Sequence, residues 1–390
     1  MAFSSRSLIR RQFNSIFRKH STLAETASLT SDESPPIQVL RTTESNPINH
    51  TRDHLTRFYT VPHQVKSTLF QICTLPETFE KNTVTFNETA LLIREPAVEL
   101  ISYLEQTDYS RPPNKYILYG EIGTGKTLTL AHLLHYGLEK KSLLIHLNWA
   151  PLWFRRTKDR SFSQTREGLV DLPLEAAAWL LHIKHQNASL LGQLDLRLQK
   201  DYVWNPREQH AAGSPLIDLI SFGIARVKYA CDVVDAIINE FKMASTAGRC
   251  NCLVALDGIN IFFGTNSKLK DPEHTFVYGD RLSLSQSILN LLKNDWCNGS
   301  ILLTVDKLAM EENQQESFYP RYLLGEKGFE ILDPFLPVEV KNYTKDEFDA
   351  VMDYYKDRMW IRNVTKQGQR ELELLSNKNP LELMNYINPL

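Results

Sequence analysis

The sequence is poor in cysteine and has no long apolar run, and each shortage excludes a class of protein. Its 390 residues include five cysteines, none in a Cys-x-x-Cys pair, which excludes a disulfide scaffold and disfavours a zinc ribbon. No uninterrupted apolar stretch reaches the roughly 18 residues of a membrane-spanning helix, so we expect no membrane insertion. The Gly-x-Ser-x-Gly and His-Glu-x-x-His motifs of hydrolases and zinc proteases are also missing. We therefore expect a globular chain of two or three domains in a reducing compartment.

Acidic side chains are absent from the first 21 residues, which carry five basic ones: Arg6, Arg10, Arg11, Arg18 and Lys19. Apolar side chains recur there at helical spacing, at Ile9, Phe13, Ile16 and Phe17. This pattern is typical of a mitochondrial transit peptide, although a basic disordered tail has the same composition. We expect residues 1–21 to be a transit peptide. Residues 22–57, rich in Ser, Thr, Pro and Asn, are expected to form an extended arm or linker.

The rest of the chain is acidic. Because five of the 44 basic side chains lie in the first 21 residues, the remainder has 39 against 46 acidic ones, a net charge of −7. Such a charge is unsuited to broad RNA binding, so any contact with nucleic acid is expected to be local. Residues 149–156 mix aromatic and basic side chains, as an RNA-contacting loop does, but a partly buried loop with solvated charges is the favoured interpretation.

A phosphate-binding motif, Gly-x-x-x-x-Gly-Lys-Thr, spans Gly120–Thr127. It lies between an apolar run at 116–119, which predicts a buried strand, and a periodic segment at 128–138, which predicts a helix. This context distinguishes the motif from a glycine-rich turn that ends in a helix cap. The glycines permit close backbone approach, and the loop amides form an anion cradle. The predicted nucleotide contacts are Gly120, Ile122, Gly123, Thr124, Gly125, Lys126, Thr127 and Leu128.

The predicted magnesium contacts are Thr127 and Asp257. Lys126 is expected to reach the β- and γ-phosphates, and the Thr127 hydroxyl to bind Mg²⁺. Asp257 directly follows the buried run 252–256, where a second Mg²⁺ contact is expected, although an Asp that only starts a turn fits as well. Thr304, at the end of another apolar run, is weighed evenly between a polar sensor of the γ-phosphate and an ordinary strand residue.

Gly258 occupies the position where hydrolytic P-loop enzymes with an added central strand usually carry a glutamate that polarises water. Without such a base we expect nucleotide binding to survive and turnover to fall by about 10²–10⁴-fold.

These motifs predict an α/β fold, a P-loop NTPase with a mainly parallel sheet of the added-strand, AAA+/STAND-like type. Further strands are expected at 143–147, 252–256, 301–305 and 338–340. Helices are expected at 97–105, 173–185, 215–241 as one helix or two, 282–296 and 345–359, with a helical lid at 371–387. The expected domains are an N-terminal helical segment (58–114), a nucleotide-binding domain (115–343) with a helical insertion at about 151–246, and a C-terminal helical region (344–390).

Four stretches carry a resemblance to one family: 119–127, 215–220 with 225–234, 255–260, and 335–343. From about residue 58 onward the chain resembles the death-associated protein 3 family, the P-loop proteins of the mitochondrial small ribosomal subunit. The resemblance implies a mitochondrial matrix location, a place in the small-subunit head, a bound guanine nucleotide with Mg²⁺, and a pro-apoptotic association in animals. It makes Lys126, Thr127 and Asp257 nucleotide and Mg²⁺ contacts, and it leaves the residues that recognise the base unidentified.

The expected function is that of a structural component of the small subunit that supports mitochondrial translation. We expect it to bind GTP or GDP, with ATP not excluded, together with Mg²⁺, and to turn the nucleotide over slowly or not at all. The expected partners are small-subunit ribosomal proteins, small-subunit rRNA through local contacts, and the large subunit across the interface. The alternative is an active signalling NTPase of the AAA+/STAND type that acts off the ribosome, including in apoptosis.

Overall fold

The computed structural model describes residues 40–264, 267–311 and 315–388, so the predicted transit peptide and part of the predicted arm lie outside the described residues. The strands are β1 Phe58–Thr60, β2 Ala90–Leu92, β3 Asn114–Tyr119, β4 Leu143–Leu147, β5 Ser161–Phe162, β6 Val170–Asp171, β7 Tyr202–Asn205, β8 Glu208–His210, β9 Cys252–Leu256, β10 Gly299–Thr304 and β11 Leu336–Glu339.

The α-helices are α1 His63–Phe70, α2 Glu77–Phe86, α3 Glu95–Gln106, α4 Lys126–Glu139, α5 Leu152–Arg155, α6 Pro173–Gln186, α7 Ala188–Gln193, α8 Leu216–Ala225, α9 Ala230–Thr246, α10 Ser283–Leu291, α11 Pro320–Leu332, α12 Lys345–Asp357, α13 Lys366–Ser376 and α14 Pro380–Ile387. None of the described helices is long and apolar enough to cross a membrane.

Five strands form a parallel sheet at the centre of the fold, in the order β11-β3-β10-β9-β4. Strand β10 lies between β3, which precedes the phosphate-binding motif, and β9, which precedes Asp257. This is the added-strand arrangement of P-loop NTPases, so the predicted fold class is confirmed. Because the strands are parallel, the chain leaves all of them at one edge, where it gathers the segments after Tyr119, Leu256 and Thr304.

Two apolar cores cover the two faces of this sheet. Ile117, Val254 and Ile301 face helices α6, α8, α9 and α10, whereas their neighbours in sequence, Leu118 and Leu302, face α3 and α4. Strands β4, β9 and β10 are buried along their whole length, which explains their nearly continuous apolar sequences. The fold is therefore a three-layer α/β/α sandwich that presents one edge of the sheet to the candidate site.

Several predicted elements differ in detail from the structure. The predicted helix at 215–241 is two helices, α8 and α9, which a 3₁₀ turn at Val227–Tyr229 separates. The helix predicted at 282–296 ends at Leu291, because the Trp296 indole turns back into the core and donates a hydrogen bond to the Leu291 carbonyl (2.9 Å). The predicted lid is likewise two helices, α13 and α14, and left-handed Asn377 ends the first. The segment between 151 and 246 contains the hairpins β5–β6 and β7–β8 besides its helices.

The N-terminal and C-terminal parts of the described chain share a small core of their own. Phe58 of β1 and Ala90 of β2 pack there with Phe348, Tyr354 and Leu383 of the C-terminal helices. The segment predicted as helical between 58 and 114 therefore includes an antiparallel pair of strands, β1 and β2. This joint core places both ends of the described chain beside the phosphate-binding motif.

Candidate functional site

The phosphate-binding loop connects the end of β3 to the start of α4 and lies at the carboxyl edge of the sheet. Its three glycines adopt positive φ angles of 148°, 82° and 100° at Gly120, Gly123 and Gly125. A Cβ at Gly120 would lie 2.3 Å from the Val340 carbonyl oxygen, so only glycine fits there. Helix α4 starts at Lys126, and its first amides have no side-chain acceptor at the N-cap, Gly125. The loop and helix together form the anion-binding geometry that the sequence predicts.

The ammonium of Lys126 is held inside this loop, and its side chain is only 4% exposed. It donates to the carbonyl oxygens of Gly120 (3.0 Å) and Glu121 (2.7 Å). It also pairs with the Asp306 carboxylate at 2.8 Å. The lysine is therefore aimed at the inside of the loop, where a phosphate would need it.

The two predicted magnesium contacts lie together. The Thr127 hydroxyl donates to Asp257 Oδ2 at 2.8 Å, although 130 residues separate them in sequence. Burial raises the pKa of the Asp257 carboxyl, and hydrogen bonds from Thr304 and Thr127 act in the opposite direction. A hydroxyl beside a buried carboxylate at the mouth of a phosphate loop is a donor set that suits Mg²⁺, which keeps several waters and takes few protein oxygens.

Thr304 contacts Asp257 directly. Its hydroxyl donates to Asp257 Oδ1 and accepts a hydrogen bond from the Gly258 amide at 2.8 Å. The structure thus places Thr304 behind Asp257 as a support for the carboxylate. Its assignment as a γ-phosphate sensor stays a prediction.

The backbone at Gly258 explains why glutamate is missing there. Gly258 has a φ of +71°, and a Cβ would lie 2.9 Å from both the Pro151 and the Trp149 side chains. Any larger residue would be strained by its backbone and would collide with this turn. The position is therefore closed to the water-polarising glutamate by packing as well as by sequence.

Asp306 and Asn260 also belong to the site, although no motif in the sequence assigns either of them a role. Asn260 holds the backbone of Asp306 from both sides: its Nδ2 donates to the Asp306 carbonyl (3.0 Å), and its Oδ1 accepts from the Asp306 amide (3.1 Å). Both side chains are buried. A signal for Asp306 was present, because it follows a buried strand as Asp257 does, with one residue, Val305, between.

Elements from both ends of the described chain hold the loop from outside. Arg94, which precedes α3, donates to the Thr124 carbonyl at 2.6 Å and pairs with Glu347 of α12 at 3.0 Å. Asn379, at the start of α14, donates to the Ile122 carbonyl at 2.9 Å. The Leu381 amide donates to the Gly123 carbonyl at 3.2 Å. The loop conformation thus depends on segments far from it in sequence.

A cleft opens beside the loop between these flanking elements. It has an empty volume of about 820 Å³, including the part open to solvent. Thr124, Gly125 and Leu128 line the cleft. The other walls are mainly aromatic and aliphatic, and include Phe58, Phe79, Phe86, Leu92, Tyr343, Tyr354 and Tyr355. Its mainly apolar lining is typical of a small-molecule site.

Comparison with known proteins gives matches over most of the chain. Residues 91–386 match the family described as "Mitochondrial ribosomal death-associated protein 3". The chain is 37% identical over 345 residues to the small ribosomal subunit protein mS29 of Bos taurus, covering 88% of this chain and 86% of the bovine protein. It is 36% identical over 351 residues to mS29 of Mus musculus, covering 89% of each.

The matches to solved structures are much more distant. AMPPCP-bound DnaA from Aquifex aeolicus aligns with a TM-score of 0.33 and 11% identity, over 76% of this chain and 61% of the DnaA chain. A chain of the HORMA:CdnC:Trip13 complex of E. coli MS115-1 aligns with a TM-score of 0.31 and 9% identity, over 82% of this chain and 80% of that one. The strand order, rather than these scores, identifies the fold.

Proposed function

The chain belongs to the mitochondrial ribosomal death-associated protein 3 family, and we propose that it is a structural component of the small subunit of the mitochondrial ribosome that holds a purine nucleotide. One observation carries the nucleotide part of the proposal: the hydrogen bond from Thr127 to buried Asp257 beside an intact phosphate loop. The location in the mitochondrial matrix and the partners follow from the family membership. The nucleotide acts as a lasting part of the fold and supports translation by stabilising this protein.

The residues present suit a magnesium nucleotide. The amides from Ile122 to Leu128 and the Lys126 ammonium hold the phosphates, and Thr127 and Asp257 hold Mg²⁺. When bound, the metal neutralises phosphate charge that the loop alone leaves uncompensated. A ligand present at 1,000 times its dissociation constant adds about 4 kcal/mol to the stability of the folded state.

Slow or absent turnover follows from the surroundings of Asp257. Gly258 brings no carboxylate that orients water, and its packing against Trp149 and Pro151 leaves no room for one. The neighbouring polar groups, Thr304 and the Gly258 amide, are already bonded to each other. The site therefore supports binding better than hydrolysis.

The aromatic cleft is the place for the base and ribose. Gly125 and Leu128 of the proposed phosphate-holding segment line it, and its walls include Phe79 and Tyr354. Aromatic and aliphatic walls suit a planar base of either kind. Guanine is proposed on the family resemblance, and the experiment below distinguishes it from adenine.

The nucleotide proposal is tested by identifying what the purified protein carries. We expect denaturation to release a stoichiometric guanine nucleotide that mass spectrometry identifies. The Lys126→Ala variant should carry about tenfold less nucleotide, because the phosphate charge loses its partner. The Lys293→Ala variant, which removes an exposed lysine, should carry as much nucleotide as the wild type. Nucleotide-free wild-type protein that binds neither GDP nor ADP in calorimetry would contradict the proposal.

A local basic surface suits the proposed rRNA contact. We define the basic surface as Arg156, Lys158, Arg160 and Lys268, all exposed, with the exposed aromatic rings of Phe162 and Phe276. The two segments adjoin, because the Lys268 amide donates to the Phe154 carbonyl at 3.0 Å. Within the described ranges none of these four cations forms an ion pair. Free cations beside exposed rings suit single-stranded RNA, which stacks its bases on such rings.

The basic surface is tested with two paired double variants. Arg156→Ala with Arg160→Ala should weaken binding to a small-subunit rRNA fragment and lower the salt slope by about 0.7 for each lost phosphate contact. Lys293→Ala with Lys327→Ala removes the same charge from exposed sites elsewhere and should change neither. Equal weakening by both pairs would show a non-specific charge effect.

The alternative, a signalling NTPase that acts off the ribosome, predicts a different distribution in the cell. We expect nearly all of the protein to co-migrate with small subunits when mitochondrial extracts are separated on a density gradient. A large free pool with multiple-turnover hydrolysis near one per second would favour the alternative, since typical enzymes turn over at about 1–10³ per second.

A further inference from the structure

We propose that Asp306 competes with the terminal phosphate of a nucleoside triphosphate for the Lys126 ammonium, so that this site favours a nucleoside diphosphate. The inference rests on the proposed nucleotide site and assigns a specificity role to a residue outside the phosphate-binding motif. Its basis is the 2.8 Å ion pair between Lys126 Nζ and Asp306 Oδ2, in which both side chains are almost fully buried.

The hydrogen-bonding capacity of Lys126 is fully used. An ammonium group has three donors and no acceptor. In this structure the three go to the Gly120 carbonyl, the Glu121 carbonyl and the Asp306 carboxylate. A phosphate gains a bond from Lys126 only by displacing one of these acceptors. The carbonyls are neutral, whereas the carboxylate is charged and makes the strongest of the three bonds.

Asp306 is fixed in place and does not swing aside easily. Its second oxygen, Oδ1, accepts the Leu308 amide at 2.8 Å, which caps the 3₁₀ turn Lys307–Ala309. Asn260 holds its backbone through both the amide and the carbonyl. The next residue, Lys307, pairs with the Glu121 carboxylate of the loop at 2.9 Å. Two ion pairs, Asp306–Lys126 and Lys307–Glu121, therefore connect this turn to the phosphate loop.

Charge balance sets the direction of the preference. Asp257 and Asp306 are two buried carboxylates, and Lys126 is the cation that lies against Asp306. A γ-phosphate adds further negative charge and requires the ammonium that Asp306 already engages, so like charges meet in a buried site. A diphosphate requires fewer donors, and displacement of a neutral loop carbonyl is enough to supply one. The Asp306 carboxylate thus occupies the hydrogen-bond donor of Lys126 that a γ-phosphate would otherwise take.

The test compares affinities for a diphosphate and a triphosphate analogue. Full-length protein, stripped of nucleotide, is titrated by calorimetry with GDP and with GMPPNP in the presence of Mg²⁺, and with ADP and AMPPNP in parallel. We expect the wild type to bind the diphosphate at least about tenfold more tightly, and Asp306→Asn to reduce that ratio by about tenfold, because the variant removes the competing charge and keeps the shape. Asp306→Ser, which keeps a cap for the 3₁₀ turn, should act in the same direction.

Controls separate this inference from the proposed function. Asp159→Asn removes one exposed carboxylate and should leave the ratio unchanged. Equal affinity of the wild type for both phosphates, or a ratio that neither Asp306 variant alters, overturns the inference while the nucleotide site stands. Loss of hydrolysis in Asp306→Asn with an unchanged ratio would instead make Asp306 a water-orienting base and would also overturn it. Absence of binding by the wild type to all four ligands defeats the proposed function and this inference with it.

Discussion

At the scale of single residues, Gly258 is a position that accepts no larger side chain. Its positive φ and the side chains of Trp149 and Pro151 exclude a Cβ. The family-like segment Asp257–Asn260 therefore has two tasks: Asp257 supplies a carboxylate to Thr127, and Asn260 fixes Asp306. At position 258, where hydrolytic relatives of this fold usually carry a glutamate, the chain has a glycine in a tight turn.

Gly258→Ala should lower the free energy of unfolding by about 1–3 kcal/mol, since it adds backbone strain and a collision with Trp149. The matched control is Gly248→Ala, because Gly248 has the same φ of +71° but nothing within 4 Å of the added Cβ. Urea unfolding of both variants measures the effect, and their difference isolates the collision. Equal losses in the two would mean that packing at Gly258 contributes nothing.

At the scale of elements, the described N-terminal and C-terminal segments act together on the phosphate loop. Arg94 links the Thr124 carbonyl to Glu347, and its guanidinium lies 4.9 Å from the centre of the Tyr343 ring. Helix α14 reaches the other side of the loop through Asn379. The proposed nucleotide site depends on three separate segments and should be sensitive to changes in any of them.

Asn379→Ala should loosen the loop and destabilise α14. The side chain caps the helix by accepting the Leu381 and Glu382 amides, and it also donates to the Ile122 carbonyl. We expect the free energy of unfolding to fall by about 1–2 kcal/mol and the amides of residues 120–125 to exchange hydrogen faster. Thr365→Ala removes the cap of α13, which accepts the Gly368 amide, and should destabilise without altering exchange in the loop. Unchanged loop exchange in Asn379→Ala would contradict the link.

At the scale of the whole molecule, buried neutral histidines make stability depend on pH. His50 Nδ1 and His132 Nε2 are 2.9 Å apart, and His146 Nδ1 and His182 Nε2 are 3.0 Å apart. Burial lowers the pKa of His132 and of His146 well below 6.5, and lowers those of His135 and His182 to about 4. The folded state keeps these rings neutral while the unfolded chain takes up protons from about pH 6.5 downward.

Stability should therefore fall as the pH drops from about 6.5 toward 4. Each histidine that stays neutral costs up to about 1.4 kcal/mol per pH unit in that window, because the unfolded state binds more protons. Urea midpoints at pH 7.5, 6.5 and 5.5 measure the slope. His182→Gln should reduce it, and His274→Gln, at an exposed histidine, should not. A slope of zero between pH 6.5 and 5.5 would contradict the assignment.

The sequence predicted most of the central sheet, and it singled out Lys126 and Asp257 among the charged groups that lie together at its edge. Four of the five core strands appear as short apolar runs, and the glycine and lysine spacing of the motif is a local pattern. Predicted boundaries failed where tertiary contacts end an element, as Trp296 does after α10. Asp306 escaped prediction because its role depends on a lysine 180 positions away in the chain.

The amino-acid sequence by itself determined the phosphate loop, the carboxylate at Asp257 and the missing glutamate at Gly258, because each is a property of neighbouring residues. The tertiary structure alone decided the position of β10 between β3 and β9, the pairing of Lys126 with Asp306, and the cleft between the N-terminal strands and the C-terminal helices. Strand order and long-range ion pairs depend on how apolar faces bury one another across the whole chain, and no local pattern records them.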